Sequence, residues 1–448
     1  MRATRQVARI RGGRRSSEAR QPMRGRDFTL LWSASAASQL GHMCALTANP
    51  LLALLLTGSP VVAGWVSAAS TLPALLMHLS AGWLVDRFDR RKLMLAGQAG
   101  RLAAGVLPVG AITFQEWAAS LLILFAFFEG VFLVLYHAAE VTAVRHVVSS
   151  AKLRTALATN EARGHLAQLL GRPLGGFLLG CGKYLPHLVG VLASVWAIFA
   201  LSLMRTKNFR PRDVRDPAMA EPDDAAASVS FQAALRIVLG SPFLRTVLTV
   251  AAACNFLFQA VVLSLLVLAR EHAMSGGQIG LLLATSGICG LAGSIAAPKI
   301  EERLGDGRTI GVCMVTWTGL TLVVAVFADP VIGLVAWGGL SLTGGLLNFA
   351  LINHQTGRVP EHMLGRVMGV GRFVTGGALP LGALTAGYLV ATLGPRHTTW
   401  LACAGVFLVT CATPFLMRPP MRPRPRPRPR PRLRLCMRVR PCGVRRST

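Results

Sequence analysis

Twelve predominantly apolar stretches, each long enough to cross the hydrocarbon core of a bilayer, run through this chain of 448 residues. They lie at 28–56, 61–84, 93–113, 117–142, 157–181 and 186–205, then at 243–268, 279–298, 309–328, 331–354, 364–393 and 397–417. A spanning helix needs about 20 such residues, because hydrocarbon leaves every backbone N–H and C=O to be satisfied within the chain. A composition of 52% hydrophobic and 15% charged residues, with a mean hydropathy of +0.51, is too apolar for a soluble chain of this length. The expected fold is an all-α membrane protein with twelve transmembrane helices.

A net charge of +28 points first to nucleic acid, but its distribution argues otherwise. Residues 1–26 carry nine Arg and one acid, and residues 418–448 carry twelve Arg and none, so most of the charge sits in two tails around an apolar body. Nucleic acid is therefore excluded as a partner. The nine cysteines are scattered without a CxxC pair or a Cys/His cluster, so neither a disulfide framework nor a metal site is expected, and no cofactor is.

Lys and Arg mark the cytoplasmic loops of membrane proteins. With residue 27 inside, the basic residues at 87–92, 145–154, 205–245, 299–308 and 358–372 fall on one face, while Lys183, Arg270 and Arg396 are left on the other. Both termini are thus expected in the cytoplasm of a multi-pass protein of the inner (plasma) membrane. Trp32 and Trp83 then lie near one interface, and Trp65, Trp117 and Trp400 near the other; Trp196 and Trp337 fit that belt less well.

The segment Thr206 to Ser241 is polar and rich in Asp, Arg and Pro, and reads as a cytoplasmic linker, 206–241, between six-helix bundles at 27–205 and 242–417. Its end offers Phe231, Leu235, Val238 and Leu239 on one helical face, which suits either an interfacial amphipathic helix or an extension of the seventh span. The bundles correspond internally. Asp86-Arg87 matches Glu302-Arg303, and Leu153-Arg154 precedes the fifth span as Leu364-Gly365-Arg366 precedes the eleventh, giving two pseudo-symmetric repeats. Residues 1–26 form a basic tail in which Met23 reads as the natural start, and 418–448 an extended, solvated Arg/Pro tail able to touch anionic lipid headgroups.

Between the second and third spans runs Gly82-Trp83-Leu84-Val85-Asp86-Arg87-Phe88-Asp89-Arg90-Arg91-Lys92. This loop resembles the signature of the major facilitator superfamily at the same place, with Asp89 where that pattern usually has glycine. Asn160-Glu161-Ala162-Arg163 followed by Gly171-Arg172-Pro173-Leu174-Gly175-Gly176 resembles the fifth helix of the bacterial exporter branch that includes siderophore and macrolide exporters. Arg172 stands where the antiporter motif of that helix usually has proline. The resemblance covers about 27–417 and implies efflux, with drug–proton exchange as its mechanism.

The loop also makes physical sense as a gate. Asp86 at a helix end can accept hydrogen bonds from amides at the N-terminus of a neighbouring helix, near Leu364 to Arg366, and so latch one state of a transporter. Arg90 is placed to pair with Glu140 at the inner end of the fourth span. Gly82, Asp86, Arg87, Arg90, Arg91 and Glu140 form this gating set, with the basic residues equally readable as topology determinants. Gly171, Gly175, Gly176 and Gly180 in the fifth span, and the glycines of the eleventh, read as close-packing positions.

Ionisable residues near the bilayer centre are costly and need a reason. Glu129, Arg172 and His42 are the proton-coupling candidates: depth along the fourth and fifth spans allows Glu129 and Arg172 to pair, either as a switchable couple or as a permanent structural bridge, and His42 is readable either as a coupling group or as a plain hydrogen-bonding residue. Asn255, Gln259 and Asn348 are mid-span amides suited to a substrate cavity or to interhelical hydrogen bonds. With no GxxxxGK[ST], HExxH or GxSxG motif, the chain is not read as an enzyme. The expected function is a secondary transporter that exports an amphiphilic small molecule (drug, siderophore or secondary metabolite) by alternating access against an inward proton flux. Its partners are that substrate, protons and membrane lipids, and a transport-silent scaffold or sensor with the same fold is the alternative.

Overall fold

The structure is a computed structural model and describes residues 25–77, 84, 85, 87–148, 153–205 and 224–417. Gly82, Asp86, both tails and the first half of the linker lie outside the described residues. The helices are α1 (Gly25–Thr57), α2 (Pro60–Leu76), α3 (Arg90–Ala104), α4 (Val106–Thr113), α5 (Ala118–Val147), α6 (Leu153–Cys181) and α7 (Leu185–Leu203). They continue as α8 (Asp224–Gly240), α9 (Pro242–Glu271), α10 (Gly276–Leu304), α11 (Asp306–Phe327), α12 (Pro330–Arg358) and α13 (Glu361–Leu416). Among the described residues there is no strand.

Local chemistry fixes where these helices begin. Ser59 Oγ accepts the Val62 amide at 3.4 Å, Ser275 and Gln278 cap one another reciprocally, and Asp329 accepts the Val331 and Ile332 amides at 2.9 Å. Pro60, Pro242 and Pro330 fill first-turn positions whose amide would have had no helical acceptor. Asp89, the departure from the signature loop, is the cap of α3: its carboxylate accepts the Arg91 and Lys92 amides at 2.9 and 3.3 Å. Such a cap contributes about 1 kcal/mol, which a glycine supplies less fully. At Gly394, φ 78° and ψ 166° break α13 into two arms. A residue with a Cβ is strained in that backbone conformation.

Among the described residues nine helices are long and apolar enough to cross a membrane, fewer than the twelve stretches expected. Pro60–Leu76 is apolar but only 17 residues long, and α6 carries Arg154, Glu161, Arg163 and Arg172 along 29 residues. The stretch Arg366–Leu416, 51 residues with the Gly394 break inside it, counts once.

Because the chain runs back and forth, α1 begins and α13 finishes at the same end of the molecule, here the terminal end; the other is the distal end. At the distal end one core is built from both halves of the sequence. It joins Leu51, Leu52 and Leu54 of α1, Val66 of α2, Leu122 of α5 and Leu179 of α6 to Leu265 and Leu266 of α9, Ile279 and Leu283 of α10 and Val390 of α13. At the terminal end the cores separate. Leu31, Met94, Tyr136, Ala143 and Leu201 pack among α1 to α7 alone, while Val247, Ile310, Trp317 and Leu347 pack among the later helices.

Glycine lets the two halves meet so closely at the distal end. A Cβ on Gly64 of α2 would lie 2.7 Å from the Ala383 carbonyl and 2.9 Å from the Gly387 Cα on α13, and one on Gly180 of α6 would lie 2.6 Å from the Gly277 amide on α10. Lipid tails are as apolar as leucine, so helices in a bilayer associate through packing of this kind.

The linker helix α8 is not a continuation of the seventh span. Ser241 is extended (φ −96°, ψ 111°) and caps α9, which separates α8 from the seventh span. Ala234 and Val238 are buried against Leu244, Val359, Met363 and Val367, whereas Leu239 is 53% exposed and Arg236 is exposed. Its inner face is thus spent on protein. Phe231's side chain lies outside the described residues.

Gly64→Val should therefore lower the thermal stability of the purified protein, since backbone on both sides cannot yield and overpacking costs about 1–3 kcal/mol. Gly344→Ala on α12, where nothing lies within 4 Å, should leave the melting temperature unchanged or slightly raised. Equal melting of Gly64→Val and wild type would mean that α2 and α13 are not held together at this point.

Candidate functional site

Ser38 and His42 sit one turn apart on α1, and Gln98 and Arg101 nearly one turn apart on α3, so each pair shares a helix face. Both faces meet Glu129 of α5. Arg101 Nη2 donates to Glu129 Oε1 at 2.8 Å, and His42 Nδ1 lies 3.0 Å from Oε2 and 3.2 Å from Oε1. Ser38 Oγ accepts from Gln98 Nε2 at 2.8 Å and from Arg101 Nη1, while the Ser38 carbonyl accepts from Arg101 Nη2 at 3.3 Å. Glu129 and Arg101 are only 4% and 5% exposed. Removing one member of such a buried pair strands the other charge, at a cost of about 3–5 kcal/mol.

The network stands between two cavities. His42 lines a cleft of about 190 Å³ between the halves, with Ser70 and Thr71 of α2, Leu133 of α5, and Arg372 and Phe373 of α13 among its walls. Glu129 and Arg101 also border a narrow second cavity toward the distal end, together with Phe125 and His187. There His187 Nε2 lies 2.9 Å from Asn49 Oδ1, and its ring meets the edge of Phe125 at 5.3 Å. Chemically, Glu129 is a carboxylate held by the Arg101 guanidinium on one side and by the imidazole of His42, which lines the cleft, on the other.

A second buried carboxylate lies nearer the terminal end. Arg163 of α6 lies 2.7 Å from Glu140 Oε1, and His137 Nδ1 3.1 Å from Oε2. Arg163 also donates to Gln39 of α1 and to Asn160, each at 3.3 Å. The sequence pointed to Arg90 as the partner of Glu140; the cation found there is Arg163, because Glu140 points from α5 toward α6. Arg90 is itself buried and engaged. Arg91 caps the last carbonyls of α7, donating to Leu201 O at 2.7 Å and Ser202 O at 3.0 Å, and Arg87 is exposed. Gly82 and Asp86 lie outside the described residues, so the latch has no geometry here.

The remaining candidates divide. Glu129 and His42 come together, but Arg172 does not join them: it is partly buried on α6 and has no hydrogen bond or ion pair among the described residues. Asn255 Nδ2 donates to the Thr375 carbonyl at 3.1 Å and Gln259 Nε2 to the Leu379 carbonyl at 3.4 Å, so both amides tie α9 to α13. Asn348 is exposed on α12. Sequence reasoning missed Arg101, Gln98 and Ser38 as members of the site, and named Arg163 only within the fifth-span motif and not as the partner of Glu140. Arg101 carried a usable signal, a charge inside the third apolar stretch at the depth of Glu129.

Residues 17–430 match the family described as transmembrane secretion effector. Among curated proteins the chain is similar to the enterobactin exporter EntS of Salmonella typhimurium, 27% identical over 343 residues that cover 73% of this chain and 77% of that one. It is also similar to the multidrug efflux pump Tap of Mycolicibacterium fortuitum, 26% identical over 394 residues, covering 85% and 92%. In fold it resembles a bacterial homologue of the iron transporter ferroportin in an inward-facing state (TM-score 0.66, 16% identity, 88% of this chain and 100% of that one). The nucleoside transporter NupG gives a TM-score of 0.64 at 12% identity, over 88% and 99%. With nearly the whole apolar body matched, the chain belongs to the transmembrane secretion effector family of the major facilitator superfamily.

Proposed function

We propose that this protein exports an amphiphilic small molecule from the cell by alternating access, driven by inward movement of protons. Membership of an efflux family and likeness to two exporters support the direction of transport. The observation that carries the mechanism is the single distal core shared by both halves, set against separate cores and a cleft toward the terminal end. Two bodies joined at one end can rock about the cleft, opening first one face and then the other.

The architecture behind this reading is twelve spans in two six-helix bundles. The nine long apolar helices, the two arms of Arg366–Leu416 taken separately, the short helix Pro60–Leu76 and the charged α6 make up that number. Arg163 on α6 is buried against Glu140 inside the protein, where a spanning helix tolerates a charge. The basic loops put both termini in the cytoplasm, so the cleft in this state opens inward.

Glu129 is the proposed proton carrier and His42 its gate to the cleft. A proton on His42 Nδ1 passes across 3.0 Å to Glu129 Oε2, and the imidazole recovers one from cleft water through its other nitrogen. Once Glu129 is neutral, Arg101 keeps its bonds to Ser38 and loses the attraction that clamps α3 to α5. Substrate binding and the proton then compete through the position of α1, which carries both His42 and the contacts to α6.

Glu129→Gln should abolish uphill efflux driven by a pH gradient in proteoliposomes while sparing substrate binding and downhill exchange, since the amide is near-isosteric but cannot titrate. Wild-type efflux in this variant would exclude Glu129 and leave His42 as the next carrier to test. Arg101→Gln alone should destabilise the protein by about 3–5 kcal/mol, and adding Glu129→Gln should recover part of that loss in thermal unfolding. Asp86→Asn should slow efflux strongly at equal membrane expression, because a neutral amide forfeits the charge that favours a helix N-terminus; unaltered efflux would remove the latch.

A further inference from the structure

The buried charges of the first half are paired, but the arginines nearest the cleft are not. Arg372, on the first arm of α13, lines the cleft and is exposed to it, and it has no hydrogen-bond or ion-pair partner among the described residues. Arg172 of α6, partly buried, is the second arginine without a hydrogen-bond or ion-pair partner among the described residues. On α6, Gly171 and Gly175 pack on Met43 and Cys44 of α1, while Gly176 and Gly180 pack on Gly280 and Gly277 of α10. Helical spacing of about 100° per residue turns Arg172 between these two directions, between the α1-facing and the α10-facing glycines. Its contact level, set by Gly171 against Leu40 and Met43, is the level of His42.

Among the described residues no carboxylate lines the cleft. The closest acid, Glu129, is already held by Arg101 and His42. Other walls are apolar, with Leu75, Leu133 and Phe373 opposite the hydroxyls of Ser70 and Thr71. An uncompensated guanidinium at membrane depth is costly to keep, and here no internal structural bond accounts for it. An apolar cleft holding free fork-shaped donors matches a ligand with an apolar body and an acidic head.

We infer that the exported molecule is an anionic amphiphile, a carboxylate or a comparably acidic group on an apolar body, whose charge is received by Arg372 with Arg172 as the second cation. The inference rests on the export reading and specifies its substrate class. It also gives Arg172, the departure from the proline of the resembled motif, a task at the cleft.

The test is a charge series on one apolar body: 2-naphthylacetate, its primary amide and (2-naphthylmethyl)trimethylammonium, titrated calorimetrically into the full chain in neutral maltoside micelles. The acid should bind about tenfold or more tighter than the amide or the cation, as a charge-assisted bidentate contact implies. Arg372→Gln should erase most of that preference, Arg372→Lys should keep much of it, and Arg172→Gln should weaken the acid without weakening the amide. Equal or tighter binding of the amide or cation, an Arg372→Gln protein that binds the acid like wild type, or failure of all three ligands to bind would each overturn the assignment. An acidic lipid headgroup shares this chemistry, so the acid is also titrated in phosphatidylcholine nanodiscs with and without phosphatidylglycerol. Loss of binding on adding phosphatidylglycerol would give the arginines to lipid and overturn the substrate assignment. Flux in proteoliposomes separates the two readings: export of the cation or amide in preference to the acid sinks this inference and keeps efflux, whereas acid binding without flux of any ligand sinks efflux and keeps the site.

Discussion

Everything else in this structure depends on one apolar contact, the distal core in which Leu51, Leu54 and Leu179 of the first half meet Leu266, Ile279 and Leu283 of the second. In a bilayer that contact gains little from expelling water, since lipid would cover the same surfaces equally well. Its strength comes from close approach, which Gly64 and Gly387 and the glycine pairs of α6 and α10 permit. A contact built on packing rather than on hydrophobic transfer can be opened without a large penalty. That property is what a rocking transporter requires, and it leaves the terminal ends of the two halves free to hold a cleft between them.

The buried charges have the opposite character. Glu129, Arg101, Ser38 and Gln98 tie α1, α3 and α5 into one unit, and Glu140, Arg163, Gln39 and Asn160 add α6 to it. Polar bonds at this depth have no water to exchange with, so they hold firmly within the first half. The second half relies on amide-to-carbonyl bonds from Asn255 and Gln259 and on the ring contacts of Phe258 with Trp317 and Trp337. Rigid interiors joined by an openable seam form a coherent design. His42 is the place where the rigid network touches the cleft.

Sequence carried the membrane class, the family resemblance and the place of Glu129 as a charge inside a span, because apolar length and a stranded charge are properties of single segments. It paired Glu129 with Arg172 and missed Arg101, although Arg101 lies as far from the end of the third apolar stretch at 113 as Glu129 lies from the start of the fourth at 117. Depth can be counted along a span, but which face a helix turns to its neighbours cannot, and Arg172 makes no hydrogen bond or ion pair among the described residues. The same limit explains Glu140, whose neighbour across the helix face is Arg163 and not Arg90. Asp89 looked like a departure from a pattern and is a helix cap, a role readable from its place just before a run of helix formers. The amphipathic end of the linker was legible as a face, yet what that face would cover depends on Met363 and Val367, more than a hundred residues away.

The central claim is that the two halves pivot as bodies, closed together at the distal end when the terminal end is open. Two pairs of spin labels in nanodiscs measure this by pulsed electron resonance: one across the distal end at Phe114 and Phe327, the other across the terminal end at Phe88 and Glu302, all exposed positions. Between a mildly alkaline and a mildly acidic buffer, the two distances should shift in opposite directions, one lengthening as the other shortens. Distances that stay fixed at both ends, or that lengthen together, would contradict a rocking transporter and favour a static membrane scaffold.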